Sequence, residues 1–241
     1  MFVGQAKLPP GLRIYAIGDV HGRFDCLTQL LAKIDADRAA SPADTARIIL
    51  LGDYGDRGPQ SREVIELLST RVNGDDFICL RGNHDEWFRA FLSNPDDGSD
   101  FLYWGGLQTL ESYGVDLSGD GKSNAALARD LSRLIPASHR KFLAGLTFWH
   151  EEGDYFFCHA GVRPGAALHF QDPCDLMWIR GEFHAHAESF GKVIVHGHTA
   201  RDSIEVKANR INIDTRAFDT GVLTCLVLEN ASQRILQSGL G

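Results

Sequence analysis

The chain has 241 residues, 44% of them hydrophobic and 23% charged, with a formal net charge of −8. That balance describes a soluble globular fold long enough to bury a full core, and it excludes collagen-like, disulfide-scaffold and highly charged disordered chains. No run of five or more basic residues occurs and no stretch reaches the ~20 apolar residues of a membrane span, so neither nucleic acid nor membrane is expected as a partner.

The opening MFVGQAKLPPGLR lacks the apolar centre of a secretory signal, and Cys26, Cys79, Cys158, Cys174 and Cys225 form no C-x-x-C pair. The expectation is a cytoplasmic protein with reduced thiols that serve packing. RIYAIGDVHG (13–22) then gives a short apolar run ending in glycine and a polar cluster, the pattern of a buried strand that stops at a ligand rim. Leu27, Leu30, Leu31 and Ile34 follow at helical spacing. RIILLGDYGDRG (47–58) repeats the strand pattern, and Val64, Ile65, Leu67 and Leu68 predict a second helix. FICLRGNHD (77–85) is a third strand end. Strand, helix, strand at this spacing predicts βαβ units.

Residues 86–150 change character. Trp87, Phe88, Phe91 and Leu92 start a helix that the polar segment 93–100 interrupts; WGGLQTLESYG and a helix carrying Leu127, Leu131 and Leu134 follow. This stretch is read as a helical cap inserted between strands three and four of one domain spanning 1–241, contributing to the mouth of the site. Strands resume at YFFCHAG (155–161) and KVIVHGHT (192–199), and RINIDT with GVLTCLVLE read as antiparallel strands closing a second sheet.

Ligands in open α/β sheets bind beyond the carboxyl ends of strands. Five such ends carry Asp19 and His21, Asp53, Asn83, His159 and His198. Carboxylate, amide oxygen and imidazole suit a pair of divalent cations, with Asp53 placed to reach both. Two such ions less two carboxylates leave a net positive pocket that suits a phosphate monoester dianion. His84, beside Asn83, would stay off the metals as the acid, its tautomer fixed by Asp56, and Arg57 offers a planar fork to phosphate oxygens. The expected reaction is direct attack by a hydroxide bridging the ions, with no phosphoenzyme.

These five motifs in fixed order resemble the phosphoprotein phosphatase (PPP) family of metallophosphoesterases, and within it the bacterial and phage serine/threonine phosphatases, whose branch includes diadenosine tetraphosphatases. The resemblance spans residues 13–230. It implies an α/β fold, a four-layer αββα sandwich of two mixed sheets. It also implies metal-ligand roles for Asp19, His21, Asp53, Asn83, His159 and His198, the acid pair His84–Asp56, and phosphate binding by Arg57, Arg180 and Asn83. The implied cofactor is two divalent ions, Mn²⁺ ahead of Fe, Zn²⁺, Ni²⁺ or Co²⁺. Phosphoserine and phosphothreonine in proteins are the implied substrates, with diadenosine tetraphosphate or another small phosphorylated metabolite as the alternative. Three departures touch no ligand: Gly55 stands where valine is usual, Asp85 where many members carry glutamate, and Arg216 where glycine is common. Outside the motifs, His184 and His186 read as a surface loop and His196 as a core residue.

Overall fold

In the computed structural model, residues 1–239 are described except 73, 75, 98, 119 and 120. Gly98, inside the polar stretch 93–100, therefore lies outside the described residues. Among the described residues ten strands form two sheets of five. In the first sheet, β1 (Leu12–Ile17), β2 (Thr45–Leu50) and β3 (Phe77–Cys79) run parallel, while β9 (Thr224–Glu229) and β10 (Ser232–Gln237) add an antiparallel hairpin beside β1. The second has the order β4 (Trp149–Glu152), β5 (Tyr155–Cys158), β6 (Val193–His196), β8 (Arg210–Asn212) and β7 (Glu205–Val206), with β5, β6 and β8 parallel.

Side-chain alternation along each strand sets the layers, because successive residues point to opposite faces. Ile14, Ala16, Ile49, Leu226 and Leu228 face Tyr155, Phe157, Val193, Val195 and Ile211 across the gap between the sheets. Tyr15, Ile17, Ile48 and Leu50 point the other way, into α1 (Phe24–Ala40) and α2 (Ser61–Arg71). Phe156, Cys158 and Ile194 on the far face of the second sheet meet α8 (Pro173–Trp178) and α9 (Gly181–Ala185) through Leu176 and Phe183. Helix, sheet, sheet, helix is the four-layer arrangement that the motifs imply. Each fully buried Ile, Leu or Phe adds about 1.5–3 kcal/mol, so the doubly covered strands fix where their carboxyl ends lie.

Between β3 and β4 lie α3 (Asn83–Ser93), α4 (Ser99–Phe101), α5 (Leu107–Ser112), α6 (Asn124–Leu134) and α7 (Ala137–Gly145). Phe88, Phe91, Phe101, Leu110, Leu127, Leu131 and Phe142 from these helices share one apolar cluster with α1, α2 and the first sheet. Two strand expectations need correction. RINIDT and GVLTCLVLE do not pair: β8 runs parallel to β6 in the second sheet, whereas β9 belongs to the first and pairs with β1. Both are buried nearly throughout, so their pattern tells burial but not partner. Strands also resume at Trp149 rather than Tyr155, because edge strand β4 is only half buried and carries no apolar run. His184 lies in α9, not in a loop.

Candidate metal centre

The loops after the parallel strands lock together before any ligand is considered. The backbone N–H groups of Val20 and His21 donate to Asp53 O at 3.1 and 2.8 Å, and Gly197 N donates to His159 O at 2.8 Å. The His159 ring joins the sheets, its Nδ1 lying 3.0 Å from Leu51 O. Asp85, third residue of α3, accepts from Gly82 N, Asp53 N and Tyr54 N at 2.8 to 3.0 Å and so ties the Asp53 loop to the helix start. Among the described residues seven non-glycine positions have positive φ, and five of them are His21, Asp53, Asp56, Arg57 and His198. Left-handed backbone costs on the order of 1 kcal/mol or more at such residues and persists where packing over-determines it. The strain is concentrated on the side chains that the sequence singles out.

Those side chains converge. Asp53 Oδ1 is 3.5 Å from His159 Nε2, and Asp53 Oδ2 is 3.4 Å from His21 Nε2. Asn83 Oδ1 lies 2.9 Å from His159 Nε2 and 2.8 Å from His198 Nδ1. One carboxylate therefore stands between two clusters, Asp53–His159–His198 and His21–Asp53–His84, each with donor atoms within 4.8 Å of one another. His84 stands in the second cluster, closer to the donors than its expected rim position implies. Asp19 arrives from the side: its Oδ2 accepts from His198 N at 3.0 Å, and its Oδ1 is buried with no hydrogen-bond partner. His198 Nε2 is orphaned in the same way. Glycines leave the space: a β-carbon on Gly82 would stand 2.1 Å from Asp53 Oδ1.

The electrostatics fit cations. Burial pushes the Asp19 carboxyl well up, and Asp214 and Asp53 beside it push it further. Burial also acts to raise Asp53, but the imidazoles of His159, His84, His21 and His198 around it hold it below the usual carboxylate range. Burial lowers His21, His159 and His198, favouring the neutral rings that metal binding requires. Crowded carboxylates, neutral imidazoles and orphaned buried acceptors together form a donor set that divalent ions would complete.

Beside it stand His84 and Asp56. His84 Nδ1 is 2.7 Å from Asp56 Oδ2, and Asp56 Oδ1 accepts from Thr109 Oγ1 at 2.6 Å. Asp56 N donates to the Ser61 and Thr109 hydroxyls. Burial alone would lower His84, but Asp53 and Asp56 raise it overall, so its charged form is favoured. Arg57 Nη2 lies 3.0 Å from His84 Nε2, and the guanidinium rests 4.6 Å from the Phe218 ring centroid. Arg180 reaches Thr199 Oγ1 at 3.4 Å and His198 O at 3.5 Å. Trp178 packs edge-on against Trp87 instead of carrying that arginine.

Sequence reasoning missed three contributors. Asp214, just past β8, is buried and its carboxyl is raised by burial and by Asp53. It adds a third carboxylate beside the two that the sequence counts. NRINIDT contains Asp214, but an isolated Asp after a strand reads equally as a turn residue. Thr109 and Phe218 carried no signal, since hydroxyls and aromatics are common in such segments. Arg216 holds φ 55, left-handed backbone that explains why glycine suits the position, and its guanidinium pairs with Asp202 and Asp219 at 3.2 Å. At Gly55 a β-carbon would make only ordinary contacts, 3.4 Å from Thr109 Oγ1.

Two mixed sheets between helices, with histidines, carboxylates and an amide at adjoining strand ends, define a metallophosphoesterase. The chain belongs to the calcineurin-like phosphoesterase family, whose sequence model matches residues 12–202. It is similar to the asymmetrical bis(5'-nucleosyl)-tetraphosphatase of Anoxybacillus flavithermus, 25% identical over 87% of this chain and 88% of that one. Serine/threonine-protein phosphatase 2 of Escherichia coli is 26% identical over 88% of this chain and 90% of its own length. In fold the chain resembles the cold-active protein-tyrosine phosphatase of a Shewanella species, with a TM-score of 0.60 and 17% identity over 98% of this chain and 84% of that one.

Proposed function

We propose that the chain hydrolyses phosphate monoesters at a centre of two divalent ions held by Asp19, His21, Asp53, Asn83, His159 and His198. The position of Asp53 between two donor clusters carries the reading. When bound, such ions supply Lewis acidity toward phosphoryl oxygens and an acidified water; Mn²⁺ is the ion proposed first.

The chain's own residues do the rest. Arg57 and Arg180 bind phosphoryl oxygens as planar forks, and the Asn83 amide adds a donor. A bound phosphate draws the Arg57 guanidinium away from His84 Nε2 and frees that nitrogen for the leaving oxygen. Once freed, that nitrogen takes up a proton from solvent and passes it to the leaving oxygen while Asp56 holds Nδ1–H, and Thr109 keeps Asp56 in line. Residues 86–150 act as a cap that supplies Thr109 and the mouth of the site.

For substrate, phosphoserine and phosphothreonine in proteins stand beside dinucleoside tetraphosphate, and the E. coli and Anoxybacillus relatives support the two classes equally. The test is turnover of p-nitrophenyl phosphate by Mn²⁺-loaded protein. Asp53→Asn is expected to abolish it and His84→Asn to cut it at least about 100-fold, and activity retained in both variants would remove the mechanism.

A further inference from the structure

The segment Leu102–Gly106 breaks helical geometry between α4 and α5, with Gly105 at φ 113. Gly105 O accepts from Arg57 N at 3.0 Å, and a β-carbon on Gly105 would stand 2.6 Å from Arg57 N. A β-carbon on Gly106 would stand 2.7 Å from the fully buried Phe101 ring. The bulge is thereby fixed on one side to a core aromatic and on the other to the backbone of the arginine assigned to phosphate.

The two residues that precede Gly105 point their apolar surface at solvent. Tyr103 is 79% exposed and Trp104 49%, their rings edge to face with centroids 5.0 Å apart, and Leu107 beyond them is also exposed. Adjoining exposed aromatic and aliphatic side chains form a contiguous apolar patch, the kind of surface that marks a binding site. Nothing in the fold needs them there, since Phe101 and Leu110 already fill the core beneath.

Resting on the phosphoesterase reading, we propose that Tyr103 and Trp104 form a ledge on which a nucleobase of the substrate stacks while its phosphate chain reaches Arg57. Gly105 ties the ledge to the backbone of Arg57, so a stacked ring and a phosphate chain can be held side by side. Stacking favours a nucleobase, whose face contributes about 1–3 kcal/mol on an aromatic side chain; a phosphotyrosine ring is the competing occupant that the test separates. The substrate class is then a nucleoside polyphosphate.

The experiment compares kcat/KM of the Mn²⁺-loaded full chain on diadenosine tetraphosphate, a phosphoserine peptide and a phosphotyrosine peptide. Trp104→Ala with Tyr103→Ala is expected to lower kcat/KM on diadenosine tetraphosphate roughly 10- to 100-fold, the effect of losing base stacking. The phosphoserine peptide should change less than about twofold, and Trp104→Phe should recover most of the loss. An equal fall on all three substrates, no change on diadenosine tetraphosphate, or a selective loss on phosphotyrosine peptide each overturns the ledge. Wild-type protein that hydrolyses none of the three overturns the phosphoesterase reading instead.

Discussion

Replacing Gly197 by alanine tests the site on sterics alone. Gly197 has no positive φ, so alanine fits its backbone. Its β-carbon would stand 2.0 Å from Asp19 Oδ1 and 3.1 Å from Asp19 Cγ. Carbon–oxygen contacts settle near roughly 3.3 Å, so the carboxylate must move by about 1 Å or more. Asp19 cannot swing freely, because its Oδ2 holds His198 N. Rotation away from Gly197 therefore breaks that bond and displaces His198 as well. A misplacement of about 1 Å in a catalytic array costs on the order of 100-fold in rate, and the overpacking costs about 1–3 kcal/mol in stability. The assay is kcat/KM on p-nitrophenyl phosphate with Mn²⁺, alongside calorimetric metal titration and Tm. Gly55→Ala is the control, since its β-carbon meets only ordinary contacts. Gly197→Ala should be about 100-fold slower and bind metal more weakly, while Gly55→Ala stays within about threefold of wild type. A Gly197→Ala protein as active as Gly55→Ala would refute the placement of Asp19.

His84→Asn should lower kcat by roughly 10²- to 10⁴-fold, the usual share of a general acid. Because Asp53 and Asp56 raise His84 in the folded protein, its acid form is lost, and activity falls, as pH rises through the folded value. Asp56→Asn should move that alkaline limb to lower pH, and an unmoved limb in the pH–kcat profile would separate Asp56 from the acid. Exhaustive chelation should abolish turnover and lower Tm, and metal added back at ~100 times its Kd should restore about 2.7 kcal/mol; Tm unchanged by chelation contradicts this. Away from the site, Asp37 accepts from Tyr15 Oη at 2.6 Å and pairs with Arg234 and the buried Arg13. The Arg234 hydrogen bond leads in holding its carboxyl below the usual range. Its stabilisation is thus full above the ordinary carboxyl value near 4 and lost as pH falls through the depressed one. Asp37→Asn should cost about 1–3 kcal/mol at pH 7 by denaturant unfolding, with the gap to wild type closing in acid.

Much of this was legible from residue order because a strand that ends in glycine and a polar cluster carries both its burial and its chemistry locally. GDVHG, GDYGDRG and GNHD each name a strand end and a donor together. What the residues could not give was pairing. β8 and β9 are both buried, and which sheet takes each depends on surfaces made elsewhere in the chain. The same limit hid Asp214, whose carboxylate matters only because the strand register sets it beside Asp19 and Asp53. Thr109, 53 positions from Asp56, meets it only through the packing of α5. The left-handed backbone at five site residues is likewise hard to read from side-chain type, since Asp and His adopt it only somewhat more often than other residues and Arg57 gives no warning of it.

Anomalous diffraction from crystals of the Mn²⁺-loaded protein bears most directly on the shared-carboxylate centre. Two peaks are predicted on either side of Asp53, with His159, His198 and Asn83 around one and His21 beside the other. A single peak, or Asp53 turned away from both histidine clusters, would contradict the two-ion account.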